Sequence, residues 1–191
     1  MVSLTRIYTK GGDKGKTSLG DKTRVLKSSL RINAIGCIDE TNATLGVVRL
    51  HMPESFTDLL QHIQNDLFDI GADLCYPNVP DSKKGPSLQI TEHSILFLES
   101  TIDTLNKDLA PLSSFILPGG SNAAAYLHVA RTIARKGERI CVALSQKEYV
   151  NPLILKYMNR LSDLLFVLSR YLNDKGMKDI LWTPGENQKA P

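Results

Sequence analysis

Between residues 31 and 174 the apolar side chains recur at three- and four-residue steps in five successive runs, separated by proline and glycine breakers. That spacing lines one face of a helix with apolar groups; a half-buried strand would show strict alternation instead. Residues 31–51 carry Ile35, Ile38, Leu45 and Val48 in this way, and residues 56–74 carry Phe56, Leu59, Leu60, Ile63, Leu67, Ile70 and Leu74. Residues 92–109 follow with Ile95, Leu98, Ile102, Leu105 and Leu109, behind Thr91 as N-cap. Residues 121–145, opening on Ser121 or Asn122, carry Ala123, Leu127, Ala130, Ala134, Cys141 and Leu144. Residues 152–174 begin at Pro152, suited to a first turn, and carry Tyr157, Leu161, Leu164, Leu168 and Leu172. The breakers are Pro53, the Pro77–Pro86 stretch, Pro118-Gly119-Gly120 and Asn151-Pro152. Five helices with mostly short links predict an all-α, antiparallel five-helix bundle. No strand pattern of convincing length and no internal repeat stands out. The expected organisation is one domain over 1–191, with non-helical arms at 1–30 and 175–191 around a bundle at 31–174.

The charge is uneven. Residues 1–27 hold Arg6, Lys10, Lys14, Lys16, Lys22, Arg24 and Lys27 against Asp13 and Asp21, a local +5 in a chain of net +3. A basic head on a near-neutral body suggests a local anionic ligand, and a nucleic-acid-coating protein would be basic throughout. Cys37, Cys75 and Cys141 are widely spaced, form no C-x-x-C and lie in apolar patterns, so buried thiols in a reducing compartment are expected. His51, His62, His93 and His128 lack ligand spacing, and no Glu-x-x-His occurs, which counts against a ferritin-like di-iron bundle and against a protein-held metal. No signal-like apolar segment follows Met1, and the long uncharged stretch from Leu109 to Ala130 is broken by Pro118, Gly119 and Gly120. A cytoplasmic protein with neither membrane nor nucleic-acid partner is expected.

Several segments carry chemistry. Tyr8-Thr9-Lys10-Gly11-Gly12-Asp13-Lys14-Gly15-Lys16-Thr17-Ser18 combines glycines that let backbone N–H groups converge, hydroxyl donors and lysine charge, the ingredients of a phosphate cradle. It is not a Walker A loop, because Lys10 stands where the first glycine would be. A solvated, turn-rich arm reads the same way. On the fourth helix Arg131, Arg135 and Glu138 share a face with Ala124 and His128. An ion-paired surface and a phosphate clamp both fit, and Arg135 suits bidentate contact. Asp39, on the Ile35–Asn42–Gly46 side of the first helix, wants a cationic partner from another helix or subunit. Asn159 and Asp163 share a polar stripe on the fifth helix. Phe115-Ile116-Leu117-Pro118-Gly119-Gly120 reads either as core packing ahead of the fourth helix or as an apolar wall.

The order of these segments is more specific than any one of them. Thr9-Lys10-x-Gly12-Asp13-x-Gly15-x-Thr17, Ala34-x-Gly36-x-x-Asp39-Glu40-x-Asn42, Phe115-x-Leu117-Pro118-Gly119-Gly120, His128-x-Ala130-Arg131-Thr132-x-x-Arg135-x-x-Glu138-Arg139 and Tyr157-x-Asn159-Arg160-Leu161-Ser162-Asp163 follow one another along the chain. Together they resemble the propanediol-utilisation type of ATP:cob(I)alamin adenosyltransferase over about residues 5–173. The resemblance implies a homotrimeric helical bundle with active sites between subunits. It implies that Thr9, Lys10, Gly11, Gly12, Thr17, Ser18 and Lys27 wrap the ATP phosphates, and that Arg135, Glu138, Arg139 and Asn159 line the nucleotide side. Asp39 and Arg131 match a pair joining adjacent subunits beside the corrin, and Phe115 matches an aromatic walling the lower face of cobalt. Lys136 and Gly137 depart from the Arg-Ala usual there, and Gly137 costs about 1 kcal/mol of helix propensity relative to Ala. Residues after Asn173, including Trp182, have no assignment in this comparison.

The implied reaction is attack of Co(I) on the 5′ carbon of ATP, giving adenosylcobalamin and triphosphate, with Mg²⁺ on the phosphates. Co(I) needs no activation by the protein, whose tasks are positioning, neutralising the leaving triphosphate and excluding water. Catalytic roles then fall to Phe115, Asp39, Arg131 and Arg135, and the partners expected are an electron-donating reductase and a B12-dependent acceptor enzyme. Two alternatives stay open from the residues: a non-enzymatic ATP-gated B12 carrier, and a purely structural bundle.

Overall fold

The computed structural model describes residues 7–77 and 88–188. Five α-helices account for most of it: α1 (Leu30–Arg49), α2 (Thr57–Leu74), α3 (Glu92–Asn106), α4 (Asn122–Ser145) and α5 (Pro152–Tyr171). Three of the five helices start on a side-chain cap. Ser29 Oγ accepts from Ile32 N, Ser121 Oγ accepts from Ala124 N at 3.2 Å, and Asn151 Oδ1 accepts from Leu153 N one residue ahead of Pro152. Thr91 is the N-cap of α3 but makes no side-chain capping bond. The helices α1, α3 and α5 end two or three residues earlier than the apolar runs, because those runs continue into the turns that follow. Beyond Pro77, the Pro77–Pro86 breaker lies outside the described residues, as does Arg6 of the basic head.

Packing runs α2–α1–α4–α5–α3, with α4 against both α1 and α5 at the centre. The links of 50–56 and 146–151 turn α1 back along α2 and α4 back along α5. Fully buried Leu45, Leu60, Ile63, Leu67, Leu127, Leu144, Ile154 and Tyr157 belong to one continuous core. Burial at this scale is the dominant stabilising term. Across the α1–α2 seam, Asn42 Nδ2 donates to Gln64 O at 3.1 Å and Gln64 Nε2 donates back to Asn42 O at 3.2 Å. Arg31, buried at one end of the bundle, donates to Leu74 O, Tyr149 O and the Glu148 carboxylate. One guanidinium thereby satisfies open carbonyls at the end of α2 and in the α4–α5 link. Cys37 and Cys141 are buried free thiols as expected, and burial pushes Cys141 up to about 12. Cys75 is only half-buried, because it caps the end of α2 beside the open groove between α1 and α2, while its carbonyl accepts from Gly20 N of the N-terminal arm at 2.9 Å.

Both arms carry short elements of their own. The N-terminal arm contains an antiparallel hairpin, β1 (Lys16–Ser18) and β2 (Arg24–Leu26), in the register Thr17 opposite Val25. Three-residue strands are too short to show alternation. Behind α5 the chain turns back, and Leu181 pairs with Ile116 in an isolated antiparallel bridge. A single 3-10 turn, Glu186–Gln188, follows.

Candidate functional site

The glycine-rich segment is shaped by the hairpin behind it. Lys10 adopts a left-handed φ of 57°, Gly15 N donates to Gly12 O at 3.1 Å, and Lys27 N donates to Gly15 O at 2.9 Å. The Lys27 ammonium sits over Gly12, 2.9 Å from where a side chain at that position would begin. Only a residue without Cβ lets the amine come so close to the backbone. Arg24 of β2 crosses the segment: its Nη2 donates to Gly11 O at 2.6 Å and Lys16 O at 3.2 Å, and its Nη1 donates to Ser18 Oγ at 3.2 Å. In the sequence Arg24 stands out only as one of seven cations in the head; its role as the staple of this loop needed the hairpin register. Thr9, Lys10, Gly11, Gly12, Thr17, Ser18 and Lys27 are thus brought together on one small exposed scaffold.

A second cluster lies on α4 and α5. Asn159 Nδ2 donates to Glu138 Oε1 at 3.1 Å, and Arg139 Nη1 donates to Arg135 O at 3.3 Å. Arg160 donates to Asn159 Oδ1 at 2.6 Å and to Glu99 on α3 at 2.7 Å, so the Asn159 amide is held from both sides. Arg135 and Arg139 are exposed, Glu138 and Asn159 half-buried, and Asp163 continues the stripe at the surface. Lys136, the departure noted in the sequence, pairs with Glu40 on α1, which stitches the two helices together. Among the described residues no hydrogen bond or ion pair joins this cluster to the glycine-rich segment of the same chain.

Toward the start of α4 the same helical face sinks into the protein. Ala124 and His128 are buried, and His128 Nε2 lies 3.3 Å from Ser169 Oγ. Burial first, then the charge of Arg131, pushes the His128 imidazole below its ordinary value. The face is therefore buried toward the start of α4 and exposed at Arg135, and none of Arg131, Arg135 and Glu138 forms an ion pair among the described residues. Arg131 is half-buried, its Nε has no hydrogen-bond partner, and burial together with Arg135 pulls its pKa down. Asp39 is exposed and takes part in no ion pair among the described residues. It borders a shallow apolar groove between α1 and α2 lined by Ile32, Ile35, Leu67 and Phe68, the last 69% exposed. Asp39 and Arg131 are not paired with each other within one chain.

Phe115 is 77% exposed, which removes its reading as core packing. Its ring lies 6.2 Å from that of Trp182, and with Leu112 and Phe166 the two line an apolar hollow of about 540 Å³. The missed element here is the tail, whose sequence carries no motif. Among the described residues no cluster of three or more His, Cys, Asp or Glu could hold a metal ion, and no helix is long and apolar enough to cross a membrane.

A helical bundle that displays a stapled glycine-lysine loop, arginines in no ion pair among the described residues and a solvent-facing aromatic wall has the parts of a nucleotide-using group-transfer enzyme. The sequence profile described as cobalamin adenosyltransferase matches residues 7–172. The corrinoid adenosyltransferase of Mycobacterium leprae is 50% identical, covering 96% of this chain and 98% of its own. That of Bacillus subtilis is 42% identical, over 92% and 91%. A variant of the PduO-type ATP:corrinoid adenosyltransferase of Lactobacillus reuteri, solved with cobalamin and ATP, superposes with a TM-score of 0.87 at 37% identity, covering 93% of this chain and 99% of that one. The chain belongs to the cobalamin adenosyltransferase family, enzymes that transfer the 5′-deoxyadenosyl group of ATP to the cobalt of a reduced corrinoid.

Proposed function

We propose that the chain carries out this transfer as a homotrimer, with each active site assembled between two subunits. The observation that carries the proposal is Arg131: a half-buried guanidinium with an unpartnered Nε, pressed by Arg135 and in no ion pair among the described residues. Leaving such a group uncompensated is costly, and Asp39 of a neighbouring subunit, exposed beside an apolar groove, is the complementary charge. The same boundary would bring the glycine-rich loop of one subunit to the α4/α5 cluster of the next. Arm, bundle and tail then act as one domain.

In this reading Thr9, Lys10, Gly11, Gly12, Thr17, Ser18 and Lys27 hold the triphosphate, with Arg135 clamping it from the other subunit. Glu138, Arg139 and Asn159 orient the nucleoside end. Lysine and arginine charge placed beforehand around the triphosphate stabilises it as it leaves. Mg²⁺ would add charge neutralisation there. Among the described residues the loop offers the hydroxyls of Thr9, Thr17 and Ser18 and the single carboxylate of Asp13, with no cluster of three or more acidic or His/Cys ligands, which fits a cation held largely by phosphate and water. Phe115 presents an apolar face to the lower side of cobalt, keeping a lower axial ligand away and making reduction to Co(I) easier. An electron-donating reductase supplies Co(I), and a B12-dependent enzyme in the cytoplasm accepts the product.

Anaerobic incubation with ATP and chemically reduced cobalamin tests the proposal. The expected result is the adenosylcobalamin spectrum with matching triphosphate release, from a species that sediments as a trimer. ATP binding without triphosphate would identify a carrier instead, and a melting temperature indifferent to nucleotide would identify a structural bundle.

A further inference from the structure

Beyond α5 the chain folds back on itself through Asp174, Lys175 and Gly176, all with positive φ, and Gly176 N donates to Arg170 O at 2.8 Å. This turn delivers Asp179 into the protein. Its Oδ2 accepts from Arg170 Nε at 2.8 Å and its Oδ1 from Asn173 Nδ2 at 2.9 Å, and the Arg170 and Asp179 side chains are only 7% and 5% exposed. The partners reach further. Arg170 Nη2 donates to Ala110 O at 3.0 Å, Asn173 Oδ1 accepts from Ser121 N at 3.2 Å, and Ser121 Oγ donates to Leu172 O at 3.0 Å. Gly120, at φ 101°, leaves room for Asn173, whose Oδ1 would lie 2.3 Å from any Cβ there. One buried carboxylate therefore ties together the end of α5, the loop before α4 and the start of the tail segment that bridges to Ile116.

The next three residues hold the Phe115 loop. Leu117 N donates to Ile180 O at 2.8 Å, Trp182 N donates to Phe115 O at 2.7 Å, and Ser114 Oγ donates to Trp182 O at 2.8 Å. A loop that carries a 77% exposed aromatic has little core packing of its own to fix it. A buried ion pair adds little net stability, but with both carboxylate oxygens engaged it selects one geometry. We propose that Asp179 is a positioning residue for adenosyl transfer: through Arg170 and Asn173 it docks residues 180–182 on the Phe115 loop and so sets the Phe115 ring against the corrin.

This inference rests on the lower-face reading of Phe115, and the experiment separates the two. Trp182 is the only tryptophan of the chain, so its emission reports tail docking directly. Asp179→Ala should red-shift that emission and raise its quenching by acrylamide. It should also slow adenosylation from Co(II) on the order of 10- to 100-fold, the scale of a misplaced reacting geometry, while the rate from prereduced Co(I) falls about twofold. Trp182→Pro, which deletes the donor to Phe115 O but leaves the buried pair intact, should show the same split between cobalt states with an unchanged melting temperature. It keeps the test alive if Asp179→Ala fails to fold. Unchanged Trp182 emission in Asp179→Ala, or a released tail with both rates intact, would overturn the latch. Phe115→Ala is measured alongside. A split there but not in the two tail variants sinks the latch alone, whereas equal losses from both cobalt states in Phe115→Ala sink the lower-face reading and the latch with it.

Discussion

Asn159 on α5 donates to Oε1 of Glu138 on α4 at 3.1 Å, while its own carbonyl oxygen accepts from Arg160, so the amide cannot flip without losing both bonds. Asn159→Asp replaces a donor with a second carboxylate facing Glu138. The expected outcome is a rise of about tenfold or more in KM for ATP, the scale of one lost charge-assisted hydrogen bond, with helix content unchanged by circular dichroism. An unaltered KM would place Glu138 and Asn159 outside the nucleotide pocket.

If the proposed trimer forms, Asp39→Arg and Arg131→Asp should each dissociate it and depress corrinoid use, because each leaves like charges facing one another across the proposed boundary. The double variant should recover part of both. Sedimentation velocity and corrinoid titration on all three proteins measure the coupling, which for a direct pair should be about 0.5–3 kcal/mol. Additive losses would show that the two residues do not meet.

Gly137 is buried inside α4, and a Cβ there would sit 3.4 Å from Met158 Cε and 3.5 Å from Cys37 Cβ, ordinary contact distances. Gly137→Ala should therefore recover helix propensity without a clash, about 1 kcal/mol. For a chain of this length that corresponds to a rise of roughly 2–4 °C in Tm by calorimetry. A fall in Tm would mean that α4 needs the glycine's space for packing.

Asp66 is 9% exposed, its Oδ2 has no hydrogen-bond partner and lies 3.6 Å from His62 Nε2, and burial outweighs that neighbour and pushes its carboxyl above the usual carboxylate range. A carboxyl raised on folding binds its proton more tightly in the native state, so its ionised form costs stability at neutral and higher pH. That cost fades as pH falls through the raised native value and is gone below the unfolded value, about 3.9. Asp66→Asn should thus stabilise the protein at pH 8, and the advantage should shrink steadily toward pH 4 in urea titrations. Asp73, buried and raised likewise, is present in both proteins and drops out of the difference. A pH-independent difference would show that Asp66 does not titrate on folding.

The helices and their starts were legible in the residues because they depend on neighbours three and four places apart. Ser121 caps α4 as its residue type suggests and Pro152 opens α5, and Leu60, Ile63, Leu67 and Ile70 face the core through periodicity alone, whereas the Ser29 cap of α1 emerged only in the structure. The order of motifs from Thr9 to Asp163 likewise sufficed to point to the family, since it lies in the linear chain. Tertiary structure decided what depends on distant partners. The local pattern around Arg131 does not say that its Nε is buried and unpartnered; that follows from where α4 lies against its neighbours. Arg24 became the staple of the glycine loop only through the register of a hairpin too short to alternate visibly. Phe115 could be core or wall until its exposure was known, and Trp182 had no reading until the turn after α5 brought it 67 residues back along the chain to the Phe115 carbonyl. A hydrogen bond closing so long a loop leaves no local signature, because its entropy is offset by packing elsewhere in the bundle.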